Sequence, residues 1–300
     1  MPETHPLISV VVPTYDRAPQ LARCLEALAA QEYPRDRYEV IVADDGSPDP
    51  ADGLVRQFAG KMNVVLVTQK HVGPAATRNL GASHAPGEFL AFTDDDCVPA
   101  RDWLARMAAR LARHPGCLVG GQTINALPEN IYSSSSQALV DILYDYYNVN
   151  GSPTFLTTSN VAMPAAQFRA TDGFDPTFRF AEDREFCDRW LHHGYGMVYA
   201  PEMRVHHYHN LTLARLWGQH FHYGRGARHF HKVRAERGWG NLRPEAGFYR
   251  TVFHYPFARV GGTRGLRMEA LMLWIQMANA AGFFFQALKG TPPATHSCRP

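Results

Sequence analysis

Three consecutive carboxylates, Asp94, Asp95 and Asp96, follow the apolar run Phe89-Leu90-Ala91-Phe92-Thr93. Carboxylates this close oppose one another's ionisation unless a cation or hydrogen-bond donors neutralise them. A hard divalent ion such as Mg²⁺ or Mn²⁺ prefers one or two carboxylates, with substrate phosphates completing its shell. On an extended backbone Asp94 and Asp96 point to one side and Asp95 to the other, so an Asp-x-Asp pair can clamp a metal against a diphosphate. The alternative is a solvated turn or a helix cap, but Asp102 is better placed to cap the helix that follows. A second acidic pair, Glu182-Asp183, opens another helical stretch. One of its carboxylates could remove a proton as a general base. It could equally serve the positive end of a helix dipole, and the residues alone leave the two readings even.

These groups need a scaffold, and the chain supplies one. Short β-branched runs at 8–12 and 39–43 end at Pro13-Thr14 and at Asp44-Asp45-Gly46-Ser47-Pro48, and 63–67 and 88–92 read as two further strands. Between them Leu21, Cys24, Leu25 and Leu28 repeat at helical spacing. Leu54, Val55 and Phe58 mark a second helix, Ala75 to Ser83 a third and Trp103 to Arg113 a fourth. Such alternation predicts an α/β fold whose mostly parallel central sheet is flanked by helices, with ligands collecting beyond the carboxyl ends of the strands. Asp16, Asp44, Asp45 and Asp94 to Asp96 all stand there. Residues 126–155, with the run Ser133 to Ser136, read as a connection followed by a helix. A strand is expected around Phe155–Met163, a helix from Glu182 to His193 capped by Gly194, and a last strand at Met197–Ala200.

Four blocks in order and spacing make the chain recognisable. Ser9-Val10-Val11-Val12-Pro13-Thr14-Tyr15-Asp16-Arg17 and Val40-Ile41-Val42-Ala43-Asp44-Asp45-Gly46-Ser47 resemble the opening of family 2 glycosyltransferases of the GT-A fold. So do Ala76-Thr77-Arg78-Asn79-Leu80-Gly81-Ala82 and the stretch from Gly87 to Asp96. The resemblance continues through Thr158-Ser159-Asn160-Val161-Ala162-Met163, Gly173-Phe174-Asp175 and Glu182-Asp183, and covers roughly 7–210. It implies an inverting transferase that uses a nucleotide-linked sugar (UDP-, GDP- or TDP-linked) and Mn²⁺ or Mg²⁺. It also places Pro13, Thr14, Tyr15 and Asp45 around base and ribose, Arg78 on the phosphate side or the base side, and Asp94 and Asp95 at the nucleotide. Asp94 and Asp96 match the ends of the DXD motif, with Asp96 the first choice as direct ligand. His207, in Val205-His206-His207-Tyr208-His209, matches a further metal ligand, although a stacking patch would also account for these histidines. Asp183 matches the general base, and Glu182 and Asn160 are expected at the acceptor, which is a sugar, a lipid-linked or a small molecule. The resemblance thins beyond 210, giving a catalytic domain at 1–210 and a helical extension at 211–300.

That extension is basic. Residues 201–300 hold 14 Lys+Arg against 4 Asp+Glu, whereas 1–200 hold 16 against 24. The balance predicts contact with something anionic, or a solvated arginine-rich surface. The stretch 270–288 is apolar apart from Gln276, Asn279 and Gln286, near the minimum length to span a bilayer, and Arg264, Arg267 and Lys289 flank it as anchors would. A buried, an interfacial and a spanning helix all remain open, with peripheral membrane contact expected through 264–289 if a membrane is touched. Nucleic acid is not an expected partner. The cysteines Cys24, Cys97, Cys117, Cys187 and Cys298 are scattered without a CxxC pair, which argues against a disulfide framework or a cysteine zinc site. The opening MPETHPLISVVVPTYDR shows no basic region leading into a long apolar stretch, so a cytoplasmic location, at or near the inner face of a membrane, is expected. A sugar-phosphate nucleotidyltransferase would share the sheet and the metal carboxylates. It should carry a glycine-rich loop after the first strand, where Pro13-Thr14-Tyr15-Asp16-Arg17 stands instead. A methyltransferase of the dinucleotide-binding type fails for the same lack of glycines. A non-catalytic sugar-binding relative is disfavoured by the retained Asp94, Asp96 and Asp183.

Overall fold

A computed structural model of the chain describes residues 5–148, 153–240, 242 and 246–290. The chain divides into two compact units. The first takes up 1–126, 148–176 and 186–208, and the second 127–147, 177–185 and 209–300. The second unit therefore draws in two segments from before 210.

In the first unit the expected strands form as β1 (Ile8–Thr14), β2 (Tyr38–Asp44), β3 (Val64–Thr68) and β4 (Phe89–Thr93). They alternate with α1 (Ala18–Ala29), the short α2 (Asp52–Arg56) and α3 (Pro74–Ser83). β5 (Cys97–Pro99), α4 (Trp103–Arg113) and β6 (Leu118–Asn125) follow. The second unit then contributes α5 (Ile131–Tyr147), and the first resumes with β7 (Asn160–Pro164) and α6 (Ala165–Ala170). Helix α7 (Glu182–His192) starts in the second unit and continues in the first, which ends on β8 (Met197–His207).

Among the described residues the sheet has eight strands in the order β3-β2-β1-β4-β7-β6-β8-β5. The β3-β2-β1-β4 half is parallel, as the alternation of strands and helices requires. β7 then runs antiparallel to β4 and β6, β8 parallel to β6, and β5 antiparallel to β8. β1 and β2 are buried almost throughout because helices cover both faces, which is why they read as continuous β-branched runs. Leu21, Cys24, Leu25 and Leu28 of α1 and Trp103, Leu104, Met107 and Leu111 of α4 pack with Val10, Val12, Val40 and Val42 into one core.

Several local expectations are corrected. β7 begins at Asn160, not Phe155, and β8 runs seven residues past Ala200 because β5 and β6 give it partners on both sides. Asp102 holds the N-cap position of α4, but its carboxylate accepts from Arg106 Nε (2.9 Å) and makes no cap bond. The serine run 133–136 lies inside α5, whose first turn is held by Asn130 Oδ1 accepting from Tyr132 N and Ser133 N (3.0 and 3.1 Å). Gly194 ends α7 in the left-handed region (φ 80°), as expected.

The second unit adds α8 (Leu213–Glu236), α9 (Ala246–Val260) and α10 (Gly262–Lys289) to α5. Thr212 caps α8 by accepting from Arg215 N (3.3 Å). Ala138, Leu139, Ile142, Leu216, Val252, Met272 and Ile275 form its core. Helix α10 is long and apolar enough, by length and composition, to cross a membrane. Of the cysteines, Cys24, Cys97, Cys117 and Cys187 are free thiols, and Cys298 lies outside the described residues.

Candidate active site

Parallel pairing sets Thr14 at the end of β1 beside Asp44 at the end of β2, and the same edge receives the end of β4 at Thr93. The acidic run begins there. Asp94 turns into β5, with Cys97 N donating to Asp94 O (3.1 Å). β5 pairs with β8 so that Cys97 faces His207, and Tyr208 N donates to Asp96 O (2.9 Å). This pairing brings His207 Nε2 to 3.2 Å from Asp96 Oδ1 across more than a hundred residues of sequence. Burial alone would push the His207 imidazole down, but the bond and charge of Asp96 outweigh it and hold it above its ordinary value.

The three carboxylates are held differently. Asp94 takes Arg78 Nη2 at 2.5 Å, and Arg78 is itself buried. Asp95 is buried and accepts from Thr14 Oγ1 (2.8 Å) and Arg17 Nη1 (3.1 Å). Burial pushes its carboxyl up to about 6, against the pull of Arg17. Asp96 shares Arg17 Nη1 at 3.2 Å. Arg17, which the residue pattern left without a role, is thus the counter-ion between Asp95 and Asp96.

Asp96, His207 and Cys97 place potential ligand atoms within 4.8 Å of one another. Carboxylate plus imidazole is a donor set that a divalent ion of the Mn²⁺ type accepts. Cys97 is the soft member of the group, and burial pushes its thiol well above the usual range, whereas hard divalent ions prefer oxygen and imidazole donors. Asp94, expected as a ligand, is committed to Arg78 and lies outside this group. The residues present fit a divalent ion held by Asp96 and His207.

Pro13 and Thr14 sit at the end of β1, and Tyr15, 40% exposed, lies against the ring of His71 with centroids 4.1 Å apart. Asp45, placed by resemblance at the base and ribose, is buried and holds the loop at 69–73. It accepts from Gln69 Nε2 (3.0 Å), Val72 N (3.0 Å) and Gly73 N (2.9 Å), and pairs with His71 Nδ1 (2.9 Å). Burial raises its carboxyl, but the hydrogen bonds from Val72, Gln69 and Gly73 prevail and lower it. Its neighbour Asp44 binds Ser47 N and Oγ through Oδ1 (2.9 and 2.6 Å), whereas Oδ2 is buried with no hydrogen-bond partner among the described residues. Neither the His71–Asp45 contact nor the unpartnered Asp44 Oδ2 carries a sequence signal.

Asn160, expected at the acceptor, is 0% exposed and acts within the scaffold. Between Gly121 and Gln122 of β6 the register with β8 jumps from Ala200 to Arg204, and one carbonyl on each strand beside this irregularity takes a side-chain donor. The Asn160 Nδ2 amide donates to both, Gln122 O (3.0 Å) and Met203 O (2.8 Å), while Oδ1 accepts from Trp103 Nε1 (2.8 Å). Asn79 does similar work at Gly173-Phe174, bonding Phe174 N (2.8 Å) and O (2.7 Å). Gly173 adopts φ 64°, and a Cβ there would meet Asn79 Oδ1 at 2.6 Å.

Glu182 and Asp183 belong to the second unit, half-buried in the first turn of α7. Asp183 Oδ1 accepts from Arg184 N (2.7 Å). The residue before the pair, Ala181, is held at φ 62°, a conformation rare for a residue with a side chain. Glu185 is buried and receives Arg237 Nη1 at 2.6 Å. The segment lies against α8 in the same unit, where a Cβ on Gly226 would meet Phe180 O at 2.6 Å, Phe178 lies on His229 (4.2 Å) and Phe180 stacks on His222 (4.4 Å).

The chain is similar to known proteins. A model described as glycosyl transferase family 2 matches residues 9–170, and one described as glycosyl transferase family group 2 matches 90–285. Glycosyltransferase AglE of Haloferax volcanii is 37% identical over 123 residues, 40% of this chain and 40% of that protein. Chondroitin synthase of Escherichia coli is 32% identical over 60% of this chain and 26% of its own length. Validoxylamine A glucosyltransferase of Streptomyces hygroscopicus subsp. jinggangensis is 30% identical over 67% of this chain and 57% of its own. The chain therefore spans 26% to 57% of the length of these curated relatives. Among solved structures, the mannosyltransferase PcManGT from Pyrobaculum calidifontis in complex with GDP-Man and Mn²⁺ superposes with a TM-score of 0.63 at 23% identity, covering 98% of this chain and 78% of that one. S. aureus TarS 1–349 in complex with UDP-GlcNAc gives a TM-score of 0.53 at 17% identity, covering 92% of this chain and 89% of that one. The strand order, the strand-end acids and a family model that matches more than half of the residues lead to one conclusion: the chain belongs to glycosyl transferase family 2 and has the GT-A fold.

Proposed function

We propose that the chain moves a sugar from a nucleoside diphosphate to an acceptor hydroxyl with inversion at the anomeric carbon. The observation that carries this reading is the β5–β8 pairing, which sets His207 3.2 Å from Asp96 at the end of the strand that carries the acidic run. Asp96 and His207 would hold Mn²⁺ or Mg²⁺, which when bound neutralises charge on the departing diphosphate. Asp183 takes the proton of the acceptor hydroxyl as its oxygen bonds to the anomeric carbon. The bond from that carbon to the diphosphate breaks on the opposite face, and the electron pair leaves with the nucleotide. Arg78 orients Asp94 on the phosphate side, Thr14 and Arg17 fix Asp95, and Glu182 contacts the acceptor. Pro13 and Tyr15 flank the base, while Asp45 shapes its pocket through the loop at 69–73. Asp44 Oδ2, buried without a partner among the described residues, would accept an N–H from a nucleobase, which uracil, thymine and guanine offer at the ring position and cytosine does not. PcManGT with GDP-Man and TarS with UDP-GlcNAc support a nucleotide-sugar donor and do not choose between bases.

Residues 1–210 act as the catalytic domain and 211–300 as an extension for acceptor and membrane. Leu266, Leu273, Met277, Phe284 and Leu288 leave one face of α10 apolar and exposed, while Met268, Met272 and Ile275 are buried. A helix apolar all round needs an apolar medium on its free side. With Arg264, Arg267 and Lys289 at its ends, an anionic bilayer surface on the cytoplasmic side meets that need. Calorimetric titration with UDP, GDP, TDP and CDP, each with Mn²⁺ and with EDTA, tests the donor reading. Metal-dependent binding of one of the first three is expected, and silence in all eight conditions would remove it.

A further inference from the structure

Helix α8 carries Arg225, Arg228, His231 and Arg234 at three-residue intervals, so they follow one ridge. Within the same unit the first turn of α7 adds Arg184, whose guanidinium lies over the Phe230 ring at 4.6 Å, and Arg234 approaches that ring at 6.0 Å. Arg228 lies over Phe283 at 5.8 Å. Arg225 is placed between Phe180 (5.8 Å) and Phe285 (5.7 Å), with its Nε–H donating to Gln286 Oε1 at 3.0 Å. Rings hold Arg184 and Arg228, and Arg225 has in addition the Gln286 amide and His222 Nδ1 at 3.5 Å. Among the described residues no carboxylate pairs with Arg184, Arg225 or Arg228. Burial, then the charges of Arg184, Arg234 and Arg228, push the His231 imidazole down to about 4.

Crowded cations without counter-ions are unfavourable unless an anion joins them. A guanidinium stacked on a ring keeps its in-plane N–H edge available, and that edge matches a phosphate through paired hydrogen bonds. Arg184 also follows Asp183 directly in sequence, and the proposed function accounts for the donor's own diphosphate with residues of the first unit. We propose that Arg184, Arg225 and Arg228 bind a phosphate or diphosphate group carried by the acceptor. The proposal rests on the reading of Asp183 as the base. Its ligand could come from a soluble sugar phosphate or from a diphosphate-linked lipid.

The test is calorimetry on the full chain in EDTA, which keeps the Asp96–His207 site out of the titration. One arm uses inorganic pyrophosphate and the other a prenyl diphosphate in neutral detergent micelles, each against wild type and the R184Q/R228Q double variant. Binding to wild type that weakens about tenfold or more in the variant is expected. A soluble source predicts this in both arms, and a lipid source predicts the stronger binding in micelles. Equal affinity in wild type and variant, or no binding of either probe to wild type, would overturn the proposal. Mn²⁺-dependent nucleoside diphosphate binding, measured on the same samples, confirms that the variant is folded. It also judges the donor reading separately, since its failure in wild type would not alter the EDTA result.

Discussion

Replacing Asn160 with Ala separates a scaffold role from contact with the acceptor. Three hydrogen bonds disappear, from Trp103 Nε1 and to Gln122 O and Met203 O; Trp103 and Met203 are buried, whereas Gln122 is exposed and its carbonyl can turn to water. Each bond contributes about 1 kcal/mol net, and each buried group left unsatisfied costs about 1–3 kcal/mol. Some of these penalties overlap, because water can enter the small space created, so a loss of roughly 3–5 kcal/mol follows. For a unit of this size that corresponds to a fall in Tm of roughly 10 °C. The assay is scanning calorimetry, followed by transfer kinetics well below the lowered transition. The expected result is a large fall in Tm with the acceptor KM little changed. An unchanged Tm with a raised acceptor KM would refute the reasoning and return Asn160 to the acceptor site.

Three further outcomes follow from the same geometry. Asp183→Asn should lower turnover by about 10²–10⁴-fold while leaving nucleotide affinity intact, and wild-type turnover in this variant would remove the proposed base. Gly226→Ala puts a Cβ 2.6 Å from Phe180 O, so the segment before α7 must shift. We expect turnover to fall with donor affinity unchanged, whereas wild-type kinetics would show that the placement of this segment is immaterial. Asp45 has a depressed carboxyl, so its stabilising bonds are fully present above the ordinary aspartate range and are lost as pH falls through its lowered value. Asp45→Asn should therefore be less stable at neutral pH and show a flatter loss between neutral and acid pH in denaturant titrations. Parallel pH profiles for the two proteins would contradict this.

The parallel half of the sheet was legible because its strands are buried on both faces and carry unbroken β-branched runs that end in turn residues. Trp103 to Arg113 was legible to the residue, since its apolar stripe and its boundary residues agree. β5 and β6 were not. A strand of three residues has no period, and Leu118 to Asn125 contains two glycines where the chain must pass close to Met203 and Leu156. The serine run was misleading for the opposite reason. Ser133 bonds His209 O and Ser135 bonds Ile131 O, so tertiary partners and back-bonding place inside a helix residues that alone favour turns. At the site, the strand-end acids announced themselves by type and position. Which carboxylate faced which cation did not, because Arg17, Arg78 and His207 reach the acids only through the pairing of distant strands. The same holds for Asn160, whose partners arise from a register jump between β6 and β8 that no local pattern encodes.

The central claim is that Asp96 and His207 together hold the divalent ion that the nucleotide requires. Electron paramagnetic resonance of free Mn²⁺, titrated with the full chain and a saturating nucleoside diphosphate, addresses it most directly. Wild type should quench the free-ion signal with saturation at a single ion per chain. His207→Ala should weaken that binding about tenfold or more, and Asp96→Ala should abolish it. Quenching in both variants equal to that of wild type would place the ion elsewhere and contradict the account.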